Sequence, residues 1–92
     1  MSSIIARIAV YYRQELPGIL EATTKADGRM SITKDGIKKY DGIHHKAVRA
    51  TIFVEEGGRE SDDLKRISLI IKLLEELESN NQIVGYKNVP RR

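Results

Sequence analysis

The chain has 92 residues, a net charge of +3 and a sequence pI near 9.3. This length is typical of one small domain with a modest core, spanning residues 1–92. It contains no cysteine, which excludes disulfides, thiolate metal ligands and thiol catalysis. No apolar run is long enough to span a membrane, and Arg7 interrupts the apolar N-terminal stretch, so we expect neither a membrane segment nor a signal peptide.

Residues 4–16 alternate between two faces and predict a strand. Ile8 and Val10 fall on one face, whereas Arg7 and Tyr11 fall on the other. An amphipathic helix capped by Ser2 or Ser3 is the alternative, because the isoleucines also share a helical face. The helix would leave Val10 on its polar side, so we favour the strand.

The next thirty residues are punctuated by turn signals. Pro17-Gly18 predicts a turn, 18–25 a second strand, and 26–28 (Ala-Asp-Gly) a hairpin turn. Residues 29–34 would then be the returning strand, with Met30 and Ile32 facing inward. Two Asp-Gly pairs follow, so 34–46 is predicted to be mostly loop, with a short helical turn over 37–40.

The C-terminal half contains the most regular patterns. Residues 46–56 predict a strand, and 61–80 predict a long amphipathic helix with Ser61 as its N-cap. The apolar stripe of this helix comprises Leu64, Ile67, Ile70, Ile71, Leu74 and Leu77. Residues 82–89 predict a final strand, and 90–92 a mobile tail.

These elements predict an α+β domain. We expect an antiparallel sheet of four to five strands with one long amphipathic helix packed on one face. Leu69 and Leu73 lie beside the main stripe of that helix. They would either cover the edge of the sheet or form a second contact surface for a dimer or a partner protein.

Charge is unevenly distributed along the chain. Residues 1–54 hold nine Lys/Arg and five Asp/Glu, whereas 55–92 hold seven and eight. The candidate binding residues for an RNA or an acidic protein surface are Lys34, Lys38, Lys39, His44, His45, Lys46 and Arg49. The acidic candidates for contact with a partner are Glu55, Glu56, Glu60, Asp62 and Asp63. The alternative for either group is a charged surface that is only solvated and contacts no partner.

The sequence offers little for catalysis or metal binding. Adjacent residues of a strand point to opposite faces, so His44 and His45 make a poor chelate, and no third ligand stands at a useful spacing. No nucleophile motif or phosphate-binding loop is present. We therefore expect no metal, no cofactor and no enzymatic activity.

Taken whole, the chain resembles the small phage-encoded anti-CRISPR proteins, most nearly those that act on type I-F surveillance complexes. The resemblance covers the full chain and is carried most by residues 1–42, MSSIIARIAVYYRQELPGILEATTKADGRMSITKDGIKKYDG. These proteins share no common motif, so no residue receives a role by matching.

The resemblance implies a non-enzymatic inhibitor in the cytoplasm of an infected bacterium. Such inhibitors bind Cas subunits, and sometimes the guide RNA, and stop target DNA from hybridising. The basic candidates would then contact the RNA backbone, and the acidic ones would mimic DNA phosphates against Cas lysines. Two alternatives are a stand-alone nucleic-acid-binding regulator and a small ribonuclease that uses His44 or His45 as acid or base.

Overall fold

The computed structural model describes residues 4–54, 57 and 59–89. In chain order its elements are β1 (Ile4–Tyr12), α1 (Gly18–Asp27), β2 (Met30–Tyr40), β3 (Ile43–Phe53), α2 (Glu60–Ser79) and β4 (Gly85–Asn88). The strands form one antiparallel sheet in the order β2-β3-β1-β4. This connectivity is the ferredoxin-like, split β-α-β arrangement. The predicted α+β fold, with a long helix packed on one face of an antiparallel sheet, is confirmed.

Strand β1 is central and pairs with both β3 and β4. The prediction of a strand here is confirmed from Ile4 to Tyr12. Val10, which a helix would have placed on its polar side, is 0% exposed. Ala9 and Tyr11 on the opposite face are also buried. The middle of β1 is therefore covered on both sides, not on one side alone.

Residues 18–27 form helix α1, so the predicted second strand is wrong. The segment contains good helix formers, with Glu21 placed four residues before Lys25. Leu20 is fully buried, and its burial outweighs the strand preference of the two threonines that follow it. Gly28 then adopts a left-handed φ of 76° and donates its N–H to the carbonyl of Thr24. The Asp-Gly pair at 27–28 thus ends a helix and does not turn a hairpin.

Strands β2 and β3 form a long hairpin where a loop and a helical turn were predicted over 34–46. Asp41 and Gly42 have φ values of 51° and 83°, the left-handed pair of a two-residue type I′ turn. The earlier Asp-Gly pair lies within β2 as a bulge, because the register with β3 shifts between Lys34 and Ile37 and Gly36 has a φ of 71°. The returning strand that was predicted over 29–34 is therefore only the first half of β2.

Helix α2 agrees closely with the predicted helix over 61–80. Its N-cap is Arg59, with no side-chain cap, so the assignment of Ser61 as N-cap is wrong. Asp63 occupies the first inward position of the helix, followed at helical spacing by Ile67, Ile70, Leu74 and Leu77. Leu64 is one residue past this stripe and is 58% exposed, so its assignment to the core is wrong.

The final strand is shorter than predicted. Asn81 adopts a φ of 61° after the helix, Ile83 is buried, and pairing with β1 begins at Gly85 and ends at Asn88. The predicted mobile tail, residues 90–92, lies outside the described residues, as do Ser2, Ser3, Glu55 and Glu56.

Candidate nucleic-acid and partner interface

The sheet has two unlike faces. On one face, Ile8 and Val48 pack with Leu20 of α1 and Ile70 of α2, and we call this the helix face. On the other face, Ala9, Tyr11 and Ala47 form a smaller cluster that includes no helical residue, and we call this the open face. Cross-strand partners project to the same side of a sheet, so the register assigns every paired strand residue to one of these faces.

The register divides the predicted basic site between the two faces. On the helix-face side of the hairpin lie Lys34, Lys39, His44 and Lys46. On the open face lie Lys38, His45 and Arg49. The histidines therefore point to opposite sides, as their adjacency predicted. The basic stretch is not one patch, and a single flat partner would reach only part of it.

Two further cations join the open face from other strands. Arg7 of β1 lies opposite Thr51, and Lys87 of β4 lies opposite Ala9, which in turn lies opposite Arg49. Sequence reasoning left Lys87 out of the site, because nothing local shows that β4 pairs with β1. The alternation of β1 did place Arg7 beside Tyr11, but not beside Arg49.

Arg7 and Arg49 flank a shallow pocket of about 360 Å³ on the open face. The polar residues that line it are Arg7, Ser31, Thr33, Lys34, Asp35, Arg49 and Thr51. Arg49 Nη2 lies 3.5 Å from Asp35 Oδ2, a long ion pair. Its Nε is buried and has no hydrogen-bond partner among the described residues. Arg7 has no salt bridge to any described carboxylate, so both guanidinium groups have donors available for an anion.

Tyr40, near the tip of the hairpin, folds over the open face. Its ring stacks on that of Tyr11 of β1, with centroids 4.5 Å apart and an interplanar angle of 26°. Its hydroxyl end reaches β4, where a Cβ on Gly85 would lie 2.5 Å from Tyr40 Oη. The end of the hairpin therefore curls toward the open face. The bulge at Gly36 explains this bend, because bulges increase the local twist of a strand pair.

The acidic candidates do not form one site either. Glu60 and Asp62 are exposed in the first turn of α2. Asp63 is buried and accepts a 2.8 Å hydrogen bond from Arg66 Nη1. Its carboxylate is therefore part of the internal structure and is not free to contact a partner. Glu55 and Glu56 lie outside the described residues.

Arg66 ties four parts of the fold together. Its Nε and Nη2 donate to both carboxylate oxygens of Asp27, at the end of α1, at 2.9 and 2.8 Å. It also donates to Asp63 and to the carbonyls of Phe53 and Arg29. The hydrogen bonds from Arg66 hold the pKa of the Asp27 carboxyl below its ordinary value, and the same pair raises the pKa of Arg66. Sequence reasoning missed this network because its members are far apart in the chain.

Charge separates by layer in the described structure. The four strands hold seven lysines and arginines and a single acid, Asp35, for a net charge of +6. The two helices hold four lysines and arginines and eight acids, for a net charge of −4. The molecule therefore presents a basic sheet and an acidic helical layer. The difference in net charge between residues 1–54 and 55–92 is smaller than this difference between the strands and the helices.

The two leucines beside the main stripe of α2 differ in exposure. Leu69 is 67% exposed on α2, whereas Leu73 packs against the core, so only the first is fully available for a dimer contact. Dimerisation through these leucines stays a prediction.

No cluster of three metal-ligating side chains occurs in the described part of the chain. None of its helices is long and apolar enough to cross a membrane.

Comparisons of the chain with protein-family models, with curated proteins and with solved structures find no match. The candidate interface therefore stands on its geometry and its charge.

Proposed function

We propose that this protein is a non-enzymatic inhibitor that binds a type I-F crRNA-guided surveillance complex and blocks hybridisation of target DNA. Its partners are Cas protein subunits, with contact to the crRNA backbone, in the cytoplasm of an infected bacterium. The sequence resemblance supplies the identity of the target, and the charge distribution supplies the mode of binding.

The observation that carries the proposal is the separation of charge between the sheet and the helices. A surveillance complex presents both kinds of complementary surface, since its guide RNA is anionic and the channel that holds it is basic. The sheet, with a net charge of +6, suits the RNA backbone or an acidic Cas surface. The helical layer, with exposed Glu60 and Asp62, suits lysines that would otherwise contact DNA.

A stand-alone nucleic-acid-binding regulator is the second candidate. The open face favours it, because no described helical residue packs on this surface of the sheet. The cations that share this surface are Arg7, Lys38, Arg49 and Lys87. Such a regulator should bind nucleic acid without any Cas protein, and its affinity should fall steeply as salt rises. A ribonuclease would instead cleave RNA and lose that activity in His44→Ala or His45→Ala.

The test of the proposed function is capture of purified, crRNA-loaded type I-F complex on the tagged protein, followed by a target-DNA mobility shift. We expect the complex to co-elute and to lose its DNA binding. Co-elution with DNA binding intact would move the block to recruitment of the nuclease. No co-elution would refute the proposal for this system and leave the regulator in first place.

The hairpin allows this capture assay to be resolved by face. Lys38 and Lys39 are both exposed on the edge strand β2, but the first projects to the open face and the second to the helix-face side. Lys38→Glu together with Lys39→Glu should weaken capture at least about tenfold without unfolding the protein. The single variants then report which face contacts the complex, because each reverses one charge on one side.

A further inference from the structure

We infer that the open face of the sheet is a binding site for single-stranded RNA, with phosphates held by Arg7 and Arg49 and a base placed on Tyr40. The inference rests on the proposed function only for the identity of the strand, which would be the guide RNA. Binding of RNA by this face is itself independent of any Cas protein.

Three cations lie close together on the open face. Arg7 is diagonal to Arg49 on neighbouring strands, a spacing that lets two long guanidinium side chains reach one phosphate group. Lys87 lies on the same transverse row of the sheet as Arg49, with only the small side chain of Ala9 between them. These three cations therefore line a path across β4, β1 and β3 that a flexible anionic chain can follow.

Arg49 has hydrogen-bonding capacity that the described structure does not fully use. Its Nε is buried without an acceptor among the described residues, and its ion pair with Asp35 is long, at 3.5 Å. A buried donor without a partner is unfavourable, so the guanidinium gains from an added acceptor. A phosphate in the adjoining pocket accepts from two arginines at once, and the hydroxyls of Thr33 and Thr51 in the same pocket can donate to it.

Tyr40 provides an aromatic ring at one end of the open face. Tyr40 is only partly buried, and one face of its ring rests on Tyr11. Among the described residues, Tyr11 is the ring that stacks on Tyr40, so the other face of the Tyr40 ring is the one on which an unpaired base can stack. Arg7 and Tyr11 are four residues apart on β1, roughly 13 Å, which spans a few nucleotides of an extended strand.

A strand is favoured over a duplex by the shape of the site. The curled hairpin tip narrows one end of the open face, and the ring of Tyr40 can stack only on a base that is free of its own neighbours. The proposed contacts are made to phosphates and to the face of a base, neither of which identifies the base by its edge, so we expect little sequence preference.

The experiment is fluorescence anisotropy with a 5′-labelled single-stranded RNA of mixed sequence, about twelve nucleotides long, titrated with the full chain at several salt concentrations. We expect Arg7→Gln with Arg49→Gln to raise Kd at least about tenfold and to lower the slope of log Kd against log salt by about 1.4, which corresponds to two phosphate contacts. The matched control is Lys65→Gln with Lys72→Gln, which removes the same charge from exposed positions on α2 and should change Kd less than about twofold.

Further variants separate the binding role from folding. Arg7→Gln alone breaks no ion pair with the described residues, so it tests the site even if the double variant is unstable. Tyr40→Leu should weaken RNA binding about fivefold with an unchanged salt slope, because stacking is not ionic. The same RNA in a duplex should bind more weakly than the single strand.

Three results would overturn the inference: no binding of the RNA by the wild type up to about 100 μM, equal loss in the α2 control, or tighter binding of the duplex. Capture of the crRNA-loaded complex without free-RNA binding would refute this inference and leave the proposed function standing. RNA binding without capture of the complex would do the reverse.

Discussion

Substitution of Arg66 by glutamine tests how the fold is held together. Its side chain makes five hydrogen bonds, to Asp27, Asp63 and the carbonyls of Phe53 and Arg29, at 2.8 to 3.3 Å. Its side chain and those of the two aspartates are each only 12 to 16% exposed. Glutamine leaves two carboxylates with little water and no cation, and breaking a pair in such surroundings costs about 3 kcal/mol.

Chemical and thermal denaturation measure this loss. For a chain of this size, about 3 kcal/mol corresponds to a fall in Tm of roughly 12 to 24 °C. It also corresponds to a fall of about 3 M in the urea midpoint if the m-value, the dependence of the unfolding free energy on urea, is near 1 kcal/mol per molar. The matched control is Lys65→Gln on the exposed side of the same helix, which removes the same charge and should change stability by less than about 0.5 kcal/mol.

A double-mutant cycle attributes the effect to the ion pair. Asp27→Asn and Arg66→Gln should couple by about 1 to 3 kcal/mol, because the two side chains are bidentate partners. If Arg66→Gln destabilised the protein no more than Lys65→Gln, the network would be a surface feature. Asp63 would then return to the candidates for partner contact.

Three further perturbations follow from the structure. The pKa of Asp27 is lower in the folded protein than its ordinary value of 3.8. Its ion pair therefore stabilises the fold above pH 3.8, and this stabilisation is lost as the pH falls through the lowered pKa. Asp27→Asn should flatten the fall of Tm with acid, and an unchanged fall would contradict this. Gly85→Ala should lower the free energy of unfolding by about 1 to 3 kcal/mol, because the added methyl group displaces the ring of Tyr40. Tyr40→Ala should then destabilise the Gly85→Ala protein less than it destabilises the wild type. Equal losses in thermal denaturation would disprove the contact. Gly42→Ala should lower the free energy of unfolding, measured in urea, by about 1 kcal/mol, because the φ of Gly42 is 83°. The control is Gly18→Ala, since Gly18 has no such φ and a Cβ there meets open space. Equal effects of the two substitutions would contradict the type I′ turn.

Long periodic segments were predictable from the sequence because burial follows their period. The alternation over 4–12 and the helical stripe of α2 each extend over several repeats, so tertiary packing had little to add. Short segments with turn residues were not predictable in the same way. An Asp-Gly pair occurs at a helix end, inside a bulge and at a hairpin tip in this one chain. The burial of Leu20 in α1 decides the first, and the pairing of β2 with β3 distinguishes the other two.

The candidate site shows the same limit. The basic character of residues 34–49 was evident from composition, but the hairpin was not. The division of its cations between two faces depends on a bulge that shifts the register by one residue. Lys87 reaches the open face only because β4 lies beside β1. Asp63 resembles an exposed helix-start acid in the sequence, whereas its role is set by Arg66 and by packing against the rest of the fold.

The proposal that the basic sheet contacts the surveillance complex is tested most directly by reversing charge on one layer at a time. Wild type, the Lys38→Glu/Lys39→Glu variant and the Lys65→Glu/Lys72→Glu variant would each be titrated into crRNA-loaded type I-F complex, with binding of target DNA read by mobility shift. We expect the α2 variant to abolish the DNA shift at or below the concentration that the wild type needs, because its helical layer stays acidic, and the hairpin variant to need at least about ten times more protein. Equal inhibition by all three folded proteins would contradict a contact through the sheet, and no inhibition by the wild type would contradict the proposed function itself.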